Sequence, residues 1–152
     1  MGPPSFEMRE SVREQRFSTM WNQQLNDVFA EVAPYYDRAN NVASLGLLDW
    51  FLSAFMATVD VRPRQRVLDV CAGTDRVGIA LLEREPSLDV HAIDRSAAMQ
   101  AVGSQRARAK GFEIKSVIGD VHALPFPDNH FDVVTLQYAS RHLKLTRVFS
   151  EI

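Results

Sequence analysis

The sequence has only one cysteine, Cys71, and no marked excess of charge of either sign. One cysteine cannot form an internal disulfide, and no charged segment followed by a short apolar segment opens the chain, so nothing favours secretion. We therefore expect a cytoplasmic protein. The formal net charge is −2, from 17 Lys and Arg against 19 Asp and Glu. This balance provides no positive field, so we expect no nucleic-acid partner.

The sequence also lacks an apolar run suited to crossing a membrane. The longest such run, residues 42–59, contains Ser44, Asp49 and Ser53, so we expect no integral membrane segment and interpret the run as a buried helix. Metal-ligand spacing is absent too, because the four histidines form no paired motif and Cys71 has no cysteine partner. We expect no metal site, and we interpret Cys71 as a small core residue rather than a nucleophile.

Apolar residues at three- and four-residue steps predict two helices in the first 60 residues. The first covers residues 17–32 and ends before Pro34, which cannot continue a helix. The second covers residues 48–59, and residues 35–40 between them are predicted to form a loop. Residues 1–60 are interpreted as a helical cap.

From residue 66 onward, short apolar segments alternate with helical patterns. Strands are predicted at residues 66–71, 89–93, 113–118 and 131–137. Helices are predicted at residues 77–82, 96–109 and 143–152. This alternation favours an α/β domain over residues 61–152, with a parallel sheet covered by helices on both faces.

Acidic residues lie at or just beyond three of these strands. Asp69 lies in the first strand, which runs into a turn of small residues. Asp94 and Asp120 lie just beyond the second and third strands. A carboxylate at the end of the second strand can accept both hydroxyls of a ribose, and one after the third strand suits an amino group such as that of adenine. The glycine fingerprint of dinucleotide-binding proteins is absent, which argues against a nicotinamide-dependent enzyme. These acids predict a nucleoside-like ligand that carries no net negative charge.

Several longer motifs occur together in one order along the chain. They are Val28-Phe29-x-x-Val32-Ala33-x-x-Tyr36-Asp37-x-x-Asn40, Ser44-Leu45-Gly46 with Trp50, Val67-Leu68-Asp69-Val70, Ile93-Asp94-x-Ser96-x-x-Met99, and Leu124-Pro125-Phe126-Pro127-Asp128-Asn129-x-Phe131-Asp132-Val133-Val134. In these motifs the chain resembles the ubiquinone/menaquinone C-methyltransferase family, of the UbiE type. The resemblance implies a Rossmann-like class I methyltransferase fold with strand order 3-2-1-4. It also implies S-adenosyl-L-methionine as cofactor, and methyl transfer to a ring carbon of a quinol-like small molecule in quinone biosynthesis.

The resemblance also implies roles for individual residues. Those expected to bind the cofactor are Asp69 and Gly73 at its methionine end, Asp94 at the ribose, Asp120 and the backbone of Val121 at the adenine, and Tyr36 closing the pocket. Those expected to act in catalysis are Arg141 and His142. A cation such as Arg141 favours the phenolate that makes a ring carbon nucleophilic, and His142 or a bound water would accept the proton.

The chain departs from the family pattern at one residue and in length. Asp75 stands where the family turn has a glycine, and it has two interpretations: a carboxylate near the cofactor, with Arg76 to neutralise it, or a helix-capping residue. The chain is also expected to be truncated after its fourth strand, which leaves turnover by these 152 residues open. The alternative is a degenerate binding module that self-associates or binds a partner through an open edge strand or the cap.

Overall fold

The computed structural model describes residue 28 and residues 31–139 and 143–152. Two helices, α1 (Tyr36–Ala43) and α2 (Leu47–Thr58), precede the first strand. The elements that follow are β1 (Arg66–Val70), α3 (Arg76–Arg84), β2 (Asp89–Asp94), α4 (Ala97–Ala109), β3 (Lys115–Ile118), β4 (Val133–Leu136) and α5 (Leu145–Glu151). Helices separate β1 from β2 and β2 from β3, as the sequence predicts, whereas residues 119–132 between β3 and β4 contain no helix.

The four strands form one parallel sheet in the order β3-β2-β1-β4. Val67 of β1 lies beside Val90 on one side and Val133 on the other. β1 is buried over residues 67–70 because helices cover both faces of a parallel sheet, and such strands are mostly apolar. The predicted α/β fold and strand order are confirmed.

Alternating side chains of β1 supply the two halves of the core. Val67 packs with Leu81 and Val90 on one face, and α2 contributes Phe55 and Met56 to this cluster. Leu68 and Val70 belong to the cluster on the other face, which also contains Val148 of α5. The second cluster includes Val70, Ile93 and Leu136, which lie at or next to the carboxyl ends of β1, β2 and β4.

The loop predicted at residues 35–40 is wrong, because α1 begins at Tyr36 and continues to Ala43. No proline or glycine lies between Pro34 and Gly46 to interrupt a helix. Asp37 lies in its first turn, where a negative charge stabilises a helix. Gly46, with a φ of +83°, is the cap residue before α2. The buried helix expected over residues 42–59 is therefore wrong, because this turn divides the segment and α2 buries no residue fully.

Most of the first predicted helix lies outside the described residues. Val28, Glu31 and Val32 are helical, in agreement with the prediction for that end of the segment. Within the described part of the chain, no single helix is long and apolar enough to span a membrane. Taken together, α1 and α2 satisfy the length and composition criteria, but they are bent by 101° relative to each other.

Candidate cofactor site

The candidate site is the turn between β1 and α3, at the carboxyl end of the sheet. Three of its residues, Cys71, Gly73 and Asp75, have a φ between 56° and 58°, in the left-handed region. Only one of the three is glycine, so the turn must be held by contacts from elsewhere. Its position is the one at which open α/β sheets bind ligands.

Asp94 connects the end of β2 to this turn. One carboxylate oxygen, Oδ2, accepts a hydrogen bond of 2.9 Å from the backbone N–H of Gly73, and Oδ1 accepts one of 2.8 Å from that of Ser96. Burial raises the pKa of Asp94, although these backbone donors act in the opposite direction. The structure therefore brings together two of the residues singled out in the sequence, Gly73 and Asp94.

Gly73 leaves open space at the surface of the turn. A Cβ placed on this residue would meet no atom within 4 Å. The missing side chain therefore exposes the turn backbone rather than relieving a clash, and an exposed backbone allows a ligand to approach closely. This open surface beside the Asp94 carboxylate fits the nucleoside cofactor that the sequence implies.

Asp69 is directed into the protein. Its Oδ1 accepts a hydrogen bond of 2.8 Å from Thr135 Oγ1 of β4, its Oδ2 has no partner, and the residue is 2% exposed. Burial raises its pKa to about 7, and the nearby charges of Asp75 and Asp94 act in the same direction. Desolvation of this kind is the usual origin of such shifts. Asp69 thus belongs to a group of interacting acids beneath the turn.

The structure contradicts the capping role considered for Asp75 and its neutralisation by Arg76. Asp75 is the first residue before α3 but its side chain caps nothing. The side chain is fully buried, and its Oδ1 accepts a hydrogen bond of 2.8 Å from Gln100 of α4. Arg76 does not neutralise it, since Arg76 pairs with Asp49 of α2.

Gln100 of α4 stabilises the turn through two hydrogen bonds. Its Nε2 also donates to the backbone oxygen of Gly73 at 3.0 Å, so one amide holds both Gly73 and Asp75. Space for the Asp75 side chain comes from Gly103, where an added Cβ would lie 2.8 Å from Asp75 Cβ. Nothing in the sequence near residue 100 indicated this contact, because a helix and a turn that are distant along the chain form it.

Asp120 lies next to Asp94 and already has several partners. The N–H of Gly119 donates to the backbone oxygen of Asp94 at 3.0 Å, and Arg95 pairs with Asp120. Asp120 Oδ1 accepts from the backbone N–H of His122 at 3.0 Å, and it lies 2.7 Å from His122 Nδ1. Burial raises the pKa of Asp120, but His122 and Arg95 outweigh it and hold the pKa below its usual value.

The remaining predicted site residues occupy different surroundings. Val121 is 3% exposed and packs in the core beneath β1. Tyr36 is the first residue of α1 and partly buried. Arg141 and His142 lie outside the described residues, so their roles stay predictions. Burial raises the pKa of Cys71 to about 12, which agrees with a core thiol rather than a nucleophile.

The described residues contain no group of three or more histidine, cysteine or acidic side chains able to hold a metal ion. The chemistry of the turn is instead that of backbone amides and buried carboxylates. Such donors and acceptors recognise hydroxyl and amino groups.

Comparison with known proteins decides the family. The sequence model of the ubiE/COQ5 methyltransferase family matches residues 17–148. The chain belongs to this family. The resemblance seen in the sequence is thereby confirmed, and membership supports S-adenosyl-L-methionine as the cofactor.

Relatives of this ubiE/COQ5 chain have matching names. Demethylmenaquinone methyltransferase of Thermus thermophilus is 36% identical over 116 residues, which are 76% of this chain and 52% of that protein. The ubiquinone/menaquinone biosynthesis C-methyltransferase UbiE of Dinoroseobacter shibae is 36% identical over 118 residues, covering 76% and 47%. The chain therefore spans about half the length of the curated relatives it matches.

A solved structure supports the fold of this ubiE/COQ5 chain. Geranyl diphosphate C-methyltransferase of Streptomyces coelicolor, solved with S-adenosyl-L-homocysteine, superposes with a TM-score of 0.63 at 19% identity. The match covers 69% of this chain and 40% of that protein. The predicted methyltransferase-type Rossmann-like fold is confirmed.

Proposed function

We propose that this chain binds S-adenosyl-L-methionine at the turn after β1, and that the whole protein methylates a ring carbon of a quinol-like small molecule. The observation that carries the proposal is the contact between Asp94 and Gly73, which sets a carboxylate beside open turn backbone. Family membership supports the same cofactor and reaction.

Each residue has a proposed role in holding the cofactor. Asp94 accepts the ribose hydroxyls, Gly73 allows the methionine end to approach, and Asp69 supports the turn from within. Asp120 and the backbone of Val121 meet the adenine, where the charge of Asp120 is already balanced by Arg95. Tyr36 closes the pocket from α1.

The reaction needs a nucleophilic carbon on the acceptor. When bound, the cofactor supplies an electrophilic methyl group, and the electron pair of the broken bond stays on sulfur. Arg141 stays protonated and favours the acceptor's phenolate by its charge. His142 or a bound water accepts the hydroxyl proton, since a neutral imidazole is a suitable base near pH 7. After methyl transfer the ring carbon loses its own proton, the ring regains its aromaticity and the hydroxyl is restored, so one proton is released in total.

Calorimetric titration tests the proposal. We expect S-adenosyl-L-methionine and S-adenosyl-L-homocysteine to bind this chain, and Asp94→Ala to abolish that binding while circular dichroism shows a folded variant. Asp60→Ala is the matched control, because Asp60 is an exposed acid between α2 and β1 and should leave affinity unchanged. Formation of S-adenosyl-L-homocysteine in the presence of a quinol then tests transfer.

We also propose that the chain associates through α2 or the edge strand β4. Trp50 and Phe51 of α2 are 61% and 46% exposed, and β4 is the last strand of the described sheet. An unpaired strand edge is a template for pairing with another chain. Sedimentation over a range of concentrations should detect a dimer or larger species, and a monomer at every concentration would contradict this.

The same features support a second candidate, a binding module without turnover. Cofactor binding with no transfer to any quinol would favour it. We further propose a division at residue 60 into a cap (1–60) and a cofactor-binding domain (61–152), in a protein of the cytoplasm.

A further inference from the structure

We propose that Asp37 is a positioning residue that clamps α1 onto the cofactor turn, an inference that rests on the proposed cofactor site. Its carboxylate lies where α1, the turn and α4 meet. Oδ2 accepts a hydrogen bond of 2.6 Å from Thr74 Oγ1 and also pairs with Arg106 of α4. We call these three side chains, Asp37, Thr74 and Arg106, the clamp.

Thr74 connects the clamp to the cofactor turn. It lies between Gly73, whose backbone contacts Asp94, and Asp75, which is buried against α4. Thr74 itself is 4% exposed, so its hydroxyl needs a partner within the protein. Asp37 supplies that partner, and it therefore fixes the middle of the turn from the side of the cap.

Arg106 balances the charge of the clamp. An unpaired carboxylate at this place would oppose the carboxylate of the cofactor's methionine end. The guanidinium meets the same oxygen that Thr74 contacts. A donor in α4 and a donor in the turn thus share one acceptor in α1, which couples the position of α1 to both.

Polar contacts have unusual weight here because α1 buries no side chain fully. α2 also buries no residue fully, but its partly buried Phe55 and Met56 pack against the core, and its Asp49 pairs with Arg76. No residue of α1 belongs to either core cluster. The clamp is therefore a principal attachment of α1 to the turn. Loss of either partner should loosen the turn without unfolding the sheet.

Two ligands distinguish a positioning role of the clamp at the turn from a general effect on the stability of the protein. S-adenosyl-L-homocysteine has the methionine end that would meet the turn, whereas 5′-methylthioadenosine lacks it. We expect Asp37→Ala and Thr74→Val each to lower the affinity for S-adenosyl-L-homocysteine about tenfold, which corresponds to the loss of one charge-assisted hydrogen bond. The affinity for 5′-methylthioadenosine should stay nearly unchanged. The double variant should bind no more weakly than either single variant.

Two control variants complete the experiment. Thr74→Ser keeps the hydroxyl and should bind like the wild type, and Glu83→Gln removes a surface ion pair with Lys110 and should have no effect. Equal weakening of both ligands, additive effects in the double variant, or unchanged affinity would each overturn the clamp.

Proteolysis keeps the test independent of the proposed function. Trypsin cleaves after Arg38, within α1, when that helix opens. If the wild type binds neither ligand, the proposed function fails, but Asp37→Ala and Thr74→Val should still be cut faster at Arg38 than wild type or Glu83→Gln. Equal cleavage rates would overturn the clamp by themselves.

Discussion

Asp75 illustrates what a single residue does in this turn. It has a φ of 58°, which costs a residue with a side chain roughly 1 kcal/mol or more. The strain persists because Gln100 holds the carboxyl and Gly103 makes room for it. The family resemblance identified the position as unusual, but the direction of its side chain depends on a helix 25 residues away.

The titration of Asp75 should make stability depend on pH. Burial raises its pKa from 3.8 to about 7, so between these values the folded protein retains a proton that the unfolded chain releases. The free energy of unfolding therefore falls as pH rises through this range, by about 1.4 kcal/mol for each unit of pKa difference. Asp75→Asn removes the titration and tolerates the left-handed backbone.

Urea unfolding at about pH 5 and about pH 8 measures this effect. Relative to wild type, Asp75→Asn should be more stable at the higher pH than at the lower one. Asp128→Asn changes an exposed acid and should differ from wild type equally at both. A constant difference for Asp75→Asn as well would mean that Asp75 is already ionised at pH 5.

At the scale of elements, the strands and helices after residue 66 follow from the sequence, and the apolar patterns of β1, α3 and β2 match their burial. Ser96 caps α4, since its side chain accepts a hydrogen bond of 3.3 Å from the N–H of Met99. The prediction of a loop where α1 lies failed for a physical reason. Most residues of that helix are polar and none packs in either core cluster, so no apolar pattern predicts it, and polar contacts hold it in place.

The fit of α4 against the turn gives a prediction at this scale. Gly103→Ala places a Cβ 2.8 Å from Asp75 Cβ, so helix and turn must separate, at a cost of about 1–3 kcal/mol. The destabilisation caused by Gly103→Ala should be smaller in the Asp75→Gly variant, because the opposing side chain is then absent. Thermal unfolding of both single variants and the double variant measures it, and equal destabilisation by Gly103→Ala in both backgrounds would contradict this packing.

At the scale of the whole molecule, the order 3-2-1-4 brings distant parts of the chain to one end of the sheet. The resemblance predicted that order, and the strand pattern of the sequence predicted the acids Asp94 and Asp120 at that end. It did not predict the contacts of Asp37 with Thr74 and Arg106, which lie 37 and 69 residues away. No local pattern records such pairings, because only the folded sheet and its covering helices create them.

We propose that this end of the sheet holds the nucleoside part of S-adenosyl-L-methionine. The most direct test is calorimetric titration of the chain with S-adenosyl-L-homocysteine, comparing wild type with Asp94→Ala. We expect saturable, one-to-one binding that disappears in the folded variant. Absence of binding to folded wild type, or equal affinity in Asp94→Ala, would contradict it.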